Sequence, residues 1–302
     1  MSGIIKTVGV QIVVPVGQAC SWPYQPSVAM DNDGNFVITQ EIYDEGNNPL
    51  EIQRYTSDGV AQGTVIDGNT LPCCASGNYS DVAMDADGDF VTVLFHEDHL
   101  AVQIYNASGV LQTNSELQIG CCISYAAPSV AMEENGDFAV AWSTSNGYED
   151  GVYVQRYNAA GVAQGNLLTV ANLPCCSSNQ PADIAMDQDG DFVVTWEDNG
   201  DIFAQRYSKD GNAAGSQFQV DSTAQGEDSQ AHVSMDAAGN FVVAWVDGFE
   251  GGTLRAKRYS ADGTALGDEI VVSQCDNAYD SQIAMDDDGD FAITWSESGP
   301  TR

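Results

Sequence analysis

Ala185-Met186-Asp187-Gln188-Asp189-Gly190-Asp191-Phe192-Val193-Val194-Thr195-Trp196 decides the fold, because six versions of this stretch recur along the 302 residues. The others open at Ala29-Met30-Asp31, Ala83-Met84-Asp85, Ala131-Met132-Glu133, Ser234-Met235-Asp236 and Ala284-Met285-Asp286, and each runs through a glycine to a phenylalanine. Methionines at 30, 84, 132, 186, 235 and 285 set a period of about fifty residues. A short strand such as Pro26-Ser27-Val28-Ala29-Met30 leads into the acidic turn, and a second such as Phe192–Trp196 leads out.

Downstream lies a second signature, Gln53-Arg54-Tyr55, Gln103-Ile104-Tyr105, Gln155-Arg156-Tyr157, Gln205-Arg206-Tyr207 and Lys257-Arg258-Tyr259, each followed by a glycine turn. A fourth strand, clearest at Gln217–Val220 and Glu269–Ser273, completes the unit. Four antiparallel strands in about fifty residues predict propeller blades. The second strands agree, since Phe241-Val242-Val243-Ala244-Trp245 is apolar on both faces, as a strand covered on both sides by neighbouring blades must be.

The expected fold is therefore all-β, one six-bladed β-propeller domain over 1–302. The sixth copy stops after its second strand, and Ile12–Val16 lies before Met30 as Gln217–Val220 lies before Met235. Residues 3–17 are thus expected to complete the last blade and close the ring, removing its free edge. Exchange of that strand with a neighbouring molecule would instead build a filament.

Forty-four acidic against nine basic side chains give a net charge of −35, which argues against nucleic acid or an anionic membrane as partner. No apolar run approaches a bilayer span, so membrane insertion is not expected. No export signal is visible in Met1–Val10. Eight cysteines with three histidines, none in a zinc pattern, point to an oxidising, extracellular or cell-surface location.

The motif Ser-Val-Ala-Met-Asp-x-Asp-Gly-Asp-Phe with Gln-Arg-Tyr downstream resembles repeats of large secreted and surface proteins of bacteria, over nearly the whole chain. The acidic turn is more loosely similar to integrin-type calcium loops and to the Asp-box of sialidase-like propellers. The resemblance implies a propeller used in binding or display and no defined enzyme activity.

Three sets of residues could carry function. Alternating carboxylates at Asp85, Asp87 and Asp89, at Asp187, Asp189 and Asp191, and at Asp286, Asp288 and Asp290 could offer hard oxygens to Ca²⁺. The same residues also suit a tight hairpin turn, and Asp236-Ala237-Ala238-Gly239-Asn240, which drops the central acid but keeps the glycine, favours the turn. Cys20, Cys74, Cys122, Cys176 and Cys275 lie ten residues before a methionine, and Cys73, Cys121 and Cys175 eleven before, so all eight are placed on one rim. Cys20 and Cys275 suit a disulfide across the ring junction, worth about 5 kcal/mol by loop entropy. The three Cys-Cys pairs are either strained vicinal bonds or links between neighbouring blades. Trp22, Tyr24, Tyr79, Tyr125 and Tyr279 fall on the same rim, and aromatic faces beside acids and amides suit a carbohydrate.

Trp142, Trp196, Trp245, Trp295 and the repeated tyrosines are expected to pack, with Arg54, Arg156, Arg206 and Arg258 pairing acidic neighbours. His96 and His99 are unrepeated and, with His232, make no convincing metal or nucleophile site. The main expectation is thus a non-enzymatic extracellular binding or adhesion propeller recognising a glycan or surface protein through the rim. The alternatives are a self-associating filament or surface-assembly subunit, and a glycan-active enzyme, which would need two facing carboxylates in the central channel.

Overall fold

The computed structural model describes residues 22–43, 50–68, 80–96, 99–118, 127–144, 150–173, 181–222, 228–248, 252–273 and 278–297. All eight cysteines, Tyr79, Tyr125 and the segment 3–17 lie outside these residues. The described chain is all β and forms six antiparallel sheets, five of four strands and one of two.

The first sheet holds β1 (Trp22–Met30), β2 (Phe36–Tyr43), β3 (Leu50–Tyr55) and β4 (Ala61–Asp67) in that order. The second holds β5 (Ser80–Met84), β6 (Phe90–His96), β7 (His99–Tyr105) and β8 (Leu111–Gln118). The third holds β9 (Ser129–Met132), β10 (Phe138–Thr144), β11 (Gly151–Tyr157) and β12 (Ala163–Asn172). The fourth holds β13 (Asp183–Met186), β14 (Phe192–Asp198), β15 (Asp201–Tyr207) and β16 (Phe218–Gln219). The fifth holds β17 (Ser229–Met235), β18 (Phe241–Asp247), β19 (Thr253–Tyr259) and β20 (Ile270–Val271). The sixth pairs β21 (Ala278–Met285) with β22 (Phe291–Glu297).

Sheets stack face to face, and their first strands β1, β5, β9, β13, β17 and β21 pack side by side in succession, making an inner wall. Apolar side chains from one sheet meet the next. Val91 and Val93 of the second meet Val130, Phe138, Val140 and Trp142 of the third, and Ala185 and Val193 of the fourth meet Val233, Phe241 and Val243 of the fifth. Second strands are therefore apolar on both faces, and β10 is buried along its whole length.

The repeated aromatics are packing residues, as the sequence predicts. Tyr55, Tyr105, Tyr157, Tyr207 and Tyr259 stack on Phe36, Phe90, Phe138, Phe192 and Phe241 with ring centroids 4.9–5.0 Å apart. Each stack joins directly paired positions on the second and third strands of one sheet. Trp142, Trp196 and Trp245 are fully buried, whereas Trp295 in the sixth sheet is 38% exposed.

The arginines depart from expectation. Arg156 donates to the backbone carbonyl of Lys209 and Arg206 to that of Ala261, each in the next sheet, instead of pairing an acid. A guanidinium satisfying a carbonyl within a turn ties neighbouring sheets without needing a carboxylate.

Candidate functional site

The acidic turn is built by its first residue. Asp85 Oδ1 accepts the backbone N–H groups of Asp87 and Asp89 at 3.0 and 2.9 Å, and Asp31, Asp187, Asp236 and Asp286 do the same in their turns. In the third sheet Glu133 is too long for this, and Asn135 takes over by accepting the Asp137 N–H at 2.8 Å. The last residue reaches the other hairpin of its own sheet: Asp89 accepts from Ala107 N–H at 2.7 Å, Asp137 from Ala159 and Asp191 from Lys209. Asn35 and Asn240 make the equivalent contact through their amide oxygens, which explains why acid and amide interchange there.

The glycine of the turn is fixed by the preceding sheet. Gly88 has φ +87°, and a Cβ there would lie 3.2 Å from Asp31 Oδ2 and 3.3 Å from Ala107 Cβ. These interactions use the acids as turn and seam residues. Among the described residues no group of three or more His, Cys, Asp or Glu side chains is arranged to hold a metal ion. The nine aspartates expected as Ca²⁺ ligands lie three to a turn in three separate turns, where the first of each three accepts backbone N–H groups.

Three residues before each methionine, the inner wall carries a second layer whose composition changes from sheet to sheet: Ser27, Asp81, Ser129, Asp183, His232 and Gln282. Ser27 Oγ donates to Asp81 Oδ1 at 2.6 Å and Ser129 Oγ to Asp183 Oδ1 at 2.6 Å. Each aspartate bonds onward to the following sheet, Asp81 Oδ2 accepting Val130 N–H at 2.9 Å and Asp183 Oδ2 accepting Val233 N–H at 2.8 Å. Each also accepts the N–H of its own successor, Val82 or Ile184.

What separates the two carboxylates is the side chain they face. Asp81 looks onto the third sheet, whose wall residue is Ser129, while Asp183 lies 3.5 Å from the imidazole Nδ1 of His232. The Asp81 residue is half-buried, and burial pushes its carboxyl pKa up; the Ser27, Val130 and Val82 hydrogen bonds pull it partly back, and the Asp183 carboxylate adds an upward push. Two carboxyl groups in electrostatic contact, one driven toward its neutral form, can divide the roles of proton donor and anion.

At the far end of the same strands, side chains from the turns of different sheets meet. Glu134 Oε1 accepts from Gln188 Nε2 at 3.0 Å and from Asn32 Nδ2 at 3.4 Å, and Gln188 also donates to Asp287 at 3.4 Å. The inner wall is therefore bridged at its turn end.

Of the expected rim residues, Tyr279 lies in β21 and is 39% exposed. Trp22 and Tyr24 lie in β1, their backbones paired with Tyr43 and Glu41, and their side chains fall outside the described residues. Tyr79 and Tyr125 also lie outside the described residues, so of the five expected rim aromatics only the side chain of Tyr279 is described. Asp81, Asp183 and His232 are absent from the sequence-based candidates, although comparing the residue three before each methionine would have exposed them.

No protein-family model matches the chain, and no curated protein matches it. Solved structures do. A protein of unknown function from Dyadobacter fermentans matches with a TM-score of 0.60 at 12% identity, over 92% of this chain and 91% of that one. An α-L-arabinanase from Penicillium chrysogenum, complexed with arabinobiose, matches with a TM-score of 0.56 at 9% identity, over 91% and 93%. The Dos1 propeller matches at 0.51 and 11%, over 89% and 69%. At such identities the likeness is one of fold, and that fold is of the propeller type. It corrects the expectation of a non-enzymatic binding or adhesion module, and with it the expectation that the chain is no enzyme. The architecture from which display was inferred is also that of an α-L-arabinanase, so it gives no ground for setting catalysis aside.

Proposed function

We propose that this chain is a glycan-active enzyme that hydrolyses glycosidic bonds at the inner wall. The observation that carries this is the pair Asp81 and Asp183, hydrogen-bonded alike but differing in what they face. Asp81, raised by burial, is the general acid that gives its proton to the departing glycosidic oxygen. Asp183, beside His232, is the carboxylate that supports the oxocarbenium-like centre and directs water to it. Sharing a fold with an arabinanase makes arabinan the first polysaccharide to try.

The test is release of reducing ends from arabinan and a panel of other plant and bacterial polysaccharides. Wild-type activity should fall by about 10²–10⁴-fold in Asp81→Asn and in Asp183→Asn. Activity equal to wild type in either variant sinks the assignment, and no turnover across the panel sinks the enzymatic reading itself.

Such a site requires a closed wall, and we propose a six-bladed ring in which the sixth sheet abuts the first and residues 3–17 supply an outer strand. Asn32 reaching Glu134, and Gln188 reaching Asp287, fit the curvature of a ring. Val28 and Met30 on the first sheet are 62% and 60% exposed, whereas Val82, Val130 and Val233, at the Val28 position in other sheets, are 5–6% exposed. A closed ring covers Val28, so Val28→Asp should lower the melting temperature about as much as Val82→Asp. An unchanged melting temperature would count against closure.

A further inference from the structure

The two wall carboxylates differ in what stands at the last of their acceptor places. An ionised carboxylate has about four such places. Asp183 Oδ1 takes the Ser129 hydroxyl and the Ile184 N–H, Oδ2 takes the Val233 N–H, and the imidazole Nδ1 of His232 stands 3.5 Å from Oδ2. Asp81 has the same first three donors, from Ser27, Val82 and Val130. At the place of His232, however, its next sheet carries Ser129, whose hydroxyl is already given to Asp183. Asp183 is thus enclosed by donors, and its route to a water molecule runs through the ring.

His232 is also where the inner wall departs from regular pairing. In the second, third and fourth sheets the first strand pairs without a break. In β17, by contrast, Gln230 and Ala231 together oppose Trp245, and His232 is the first residue back in register, against Ala244. Such a bulge bends its strand and re-aims the side chain that follows. Gln230 is held there at φ +55°, a left-handed value for a residue with a side chain, and its Oε1 accepts the Asp280 N–H of the next sheet at 2.9 Å. Strain of this kind persists only where neighbours fix it, and it gathers at functional sites. The His232 side chain is 19% exposed, so water reaches it.

We propose that His232 is a further catalytic residue, the base that takes the proton of the attacking water while Asp183 holds the ring; this rests on the hydrolytic reading above. Nδ1–H faces Asp183, and the lone pair of Nε2, on the far edge of the ring, faces the water. Imidazole is the side chain suited to take and give a proton near neutral pH. As the water oxygen bonds to the anomeric carbon, one water proton passes to Nε2. The bond to the glycosidic oxygen breaks with its electron pair going to that oxygen, which Asp81 protonates. Asp183 then balances the charge of an imidazolium. The proton on Nε2 returns to Asp81 through solvent, and both groups are reset. Direct attack by water inverts the anomeric centre.

Two measurements on the full chain test this. The first needs no substrate: heteronuclear NMR of the imidazole nitrogens, assigned with His232→Gln, should show the neutral ring of His232 protonated at Nδ1, and Asp183→Asn should move that proton to Nε2. A ring protonated at Nε2 in the wild type overturns the proposal whether or not the chain turns over a substrate. The second is turnover of the polysaccharide that the wild type cleaves. His232→Asn keeps a nitrogen donor at the Nδ1 place and has none at Nε2, so it should be about 10²–10⁴-fold slower with an unchanged melting temperature. Proton NMR of the wild-type reaction should show the inverted anomer forming first. A wild-type rate in His232→Asn, or a product of retained configuration, overturns the proposal and leaves the hydrolytic reading standing. No turnover by the wild type across the panel overturns both.

Discussion

Two layers of carboxylates lie along the same first strands, and they obey opposite rules. The turn layer repeats: Asp31, Asp85, Asp187, Asp236 and Asp286 accept the same pair of backbone N–H groups, and where Glu133 breaks the pattern Asn135 restores the bond. Three residues before each methionine the wall layer does not repeat, running Ser27, Asp81, Ser129, Asp183, His232 and Gln282. In a repeat protein every unit must meet its neighbours alike, so what recurs serves the stacking of units. A polar position free to differ in each unit is not held by that requirement, and it is where asymmetric chemistry can be placed. The acids that look most like a motif are therefore structural, and those that carry the proposed chemistry look like noise.

Substitutions in the two layers should separate activity from stability. The largest effect is expected in the wall, where Asp183→Asn or Asp81→Asn lowers hydrolysis by about 10²–10⁴-fold. Melting temperature should change little, because an amide can keep the oxygen-accepting contact to Val233 or Val130. The converse change belongs to the turn. Gly88→Ala places a methyl group at φ +87° against Asp31 and Ala107 and should cost about 1–3 kcal/mol, read as a lower denaturant midpoint, with the rate per folded molecule unaltered. If Gly88→Ala also abolished turnover in the folded protein, the division between layers would fail.

The same contrast explains what could be read from the sequence. Sheet number, strand order, the aromatic stacks and the turn chemistry all follow from patterns that recur about every fifty residues, and Phe192 and Tyr207 meet where the pattern places them. The site does not show in the repeat pattern, because Asp81 and Asp183 occupy a position that Ser27 and Ser129 fill in the first and third sheets. Their meaning depends on which sheet follows: both accept a backbone N–H from the next sheet, and only the structure adds the imidazole of His232 beside Asp183. The arginines depart from the sequence pattern for a related reason. With 44 acids in the chain an acidic partner is expected, yet Arg156 and Arg206 donate to turn carbonyls that register across sheets brings close.

The smallest expected effect is on the pH dependence of folding, and it sharpens the contrast because both layers contribute with one sign. Burial raises Asp81 in the wall and Asp85, Asp187 and Glu133 in the turns above their unfolded values. A carboxyl raised on folding binds its proton more tightly in the native state. Between the unfolded and folded pKa values the native state then holds more protons, so stability falls as pH rises through that window and the protonated form is the more stable below it. Mutual repulsion in a chain of net charge −35 acts in the same direction. The melting temperature should therefore fall as pH is raised from mildly acidic to neutral. Asp81→Asn should reduce the slope at its source, while Asp262→Asn, at an exposed aspartate held low by Ser260 and Thr264, should not. If the slope in Asp81→Asn matched wild type, the pH response would belong to the turn acids and the general charge, and Asp81 would lose the raised pKa on which its role as acid depends.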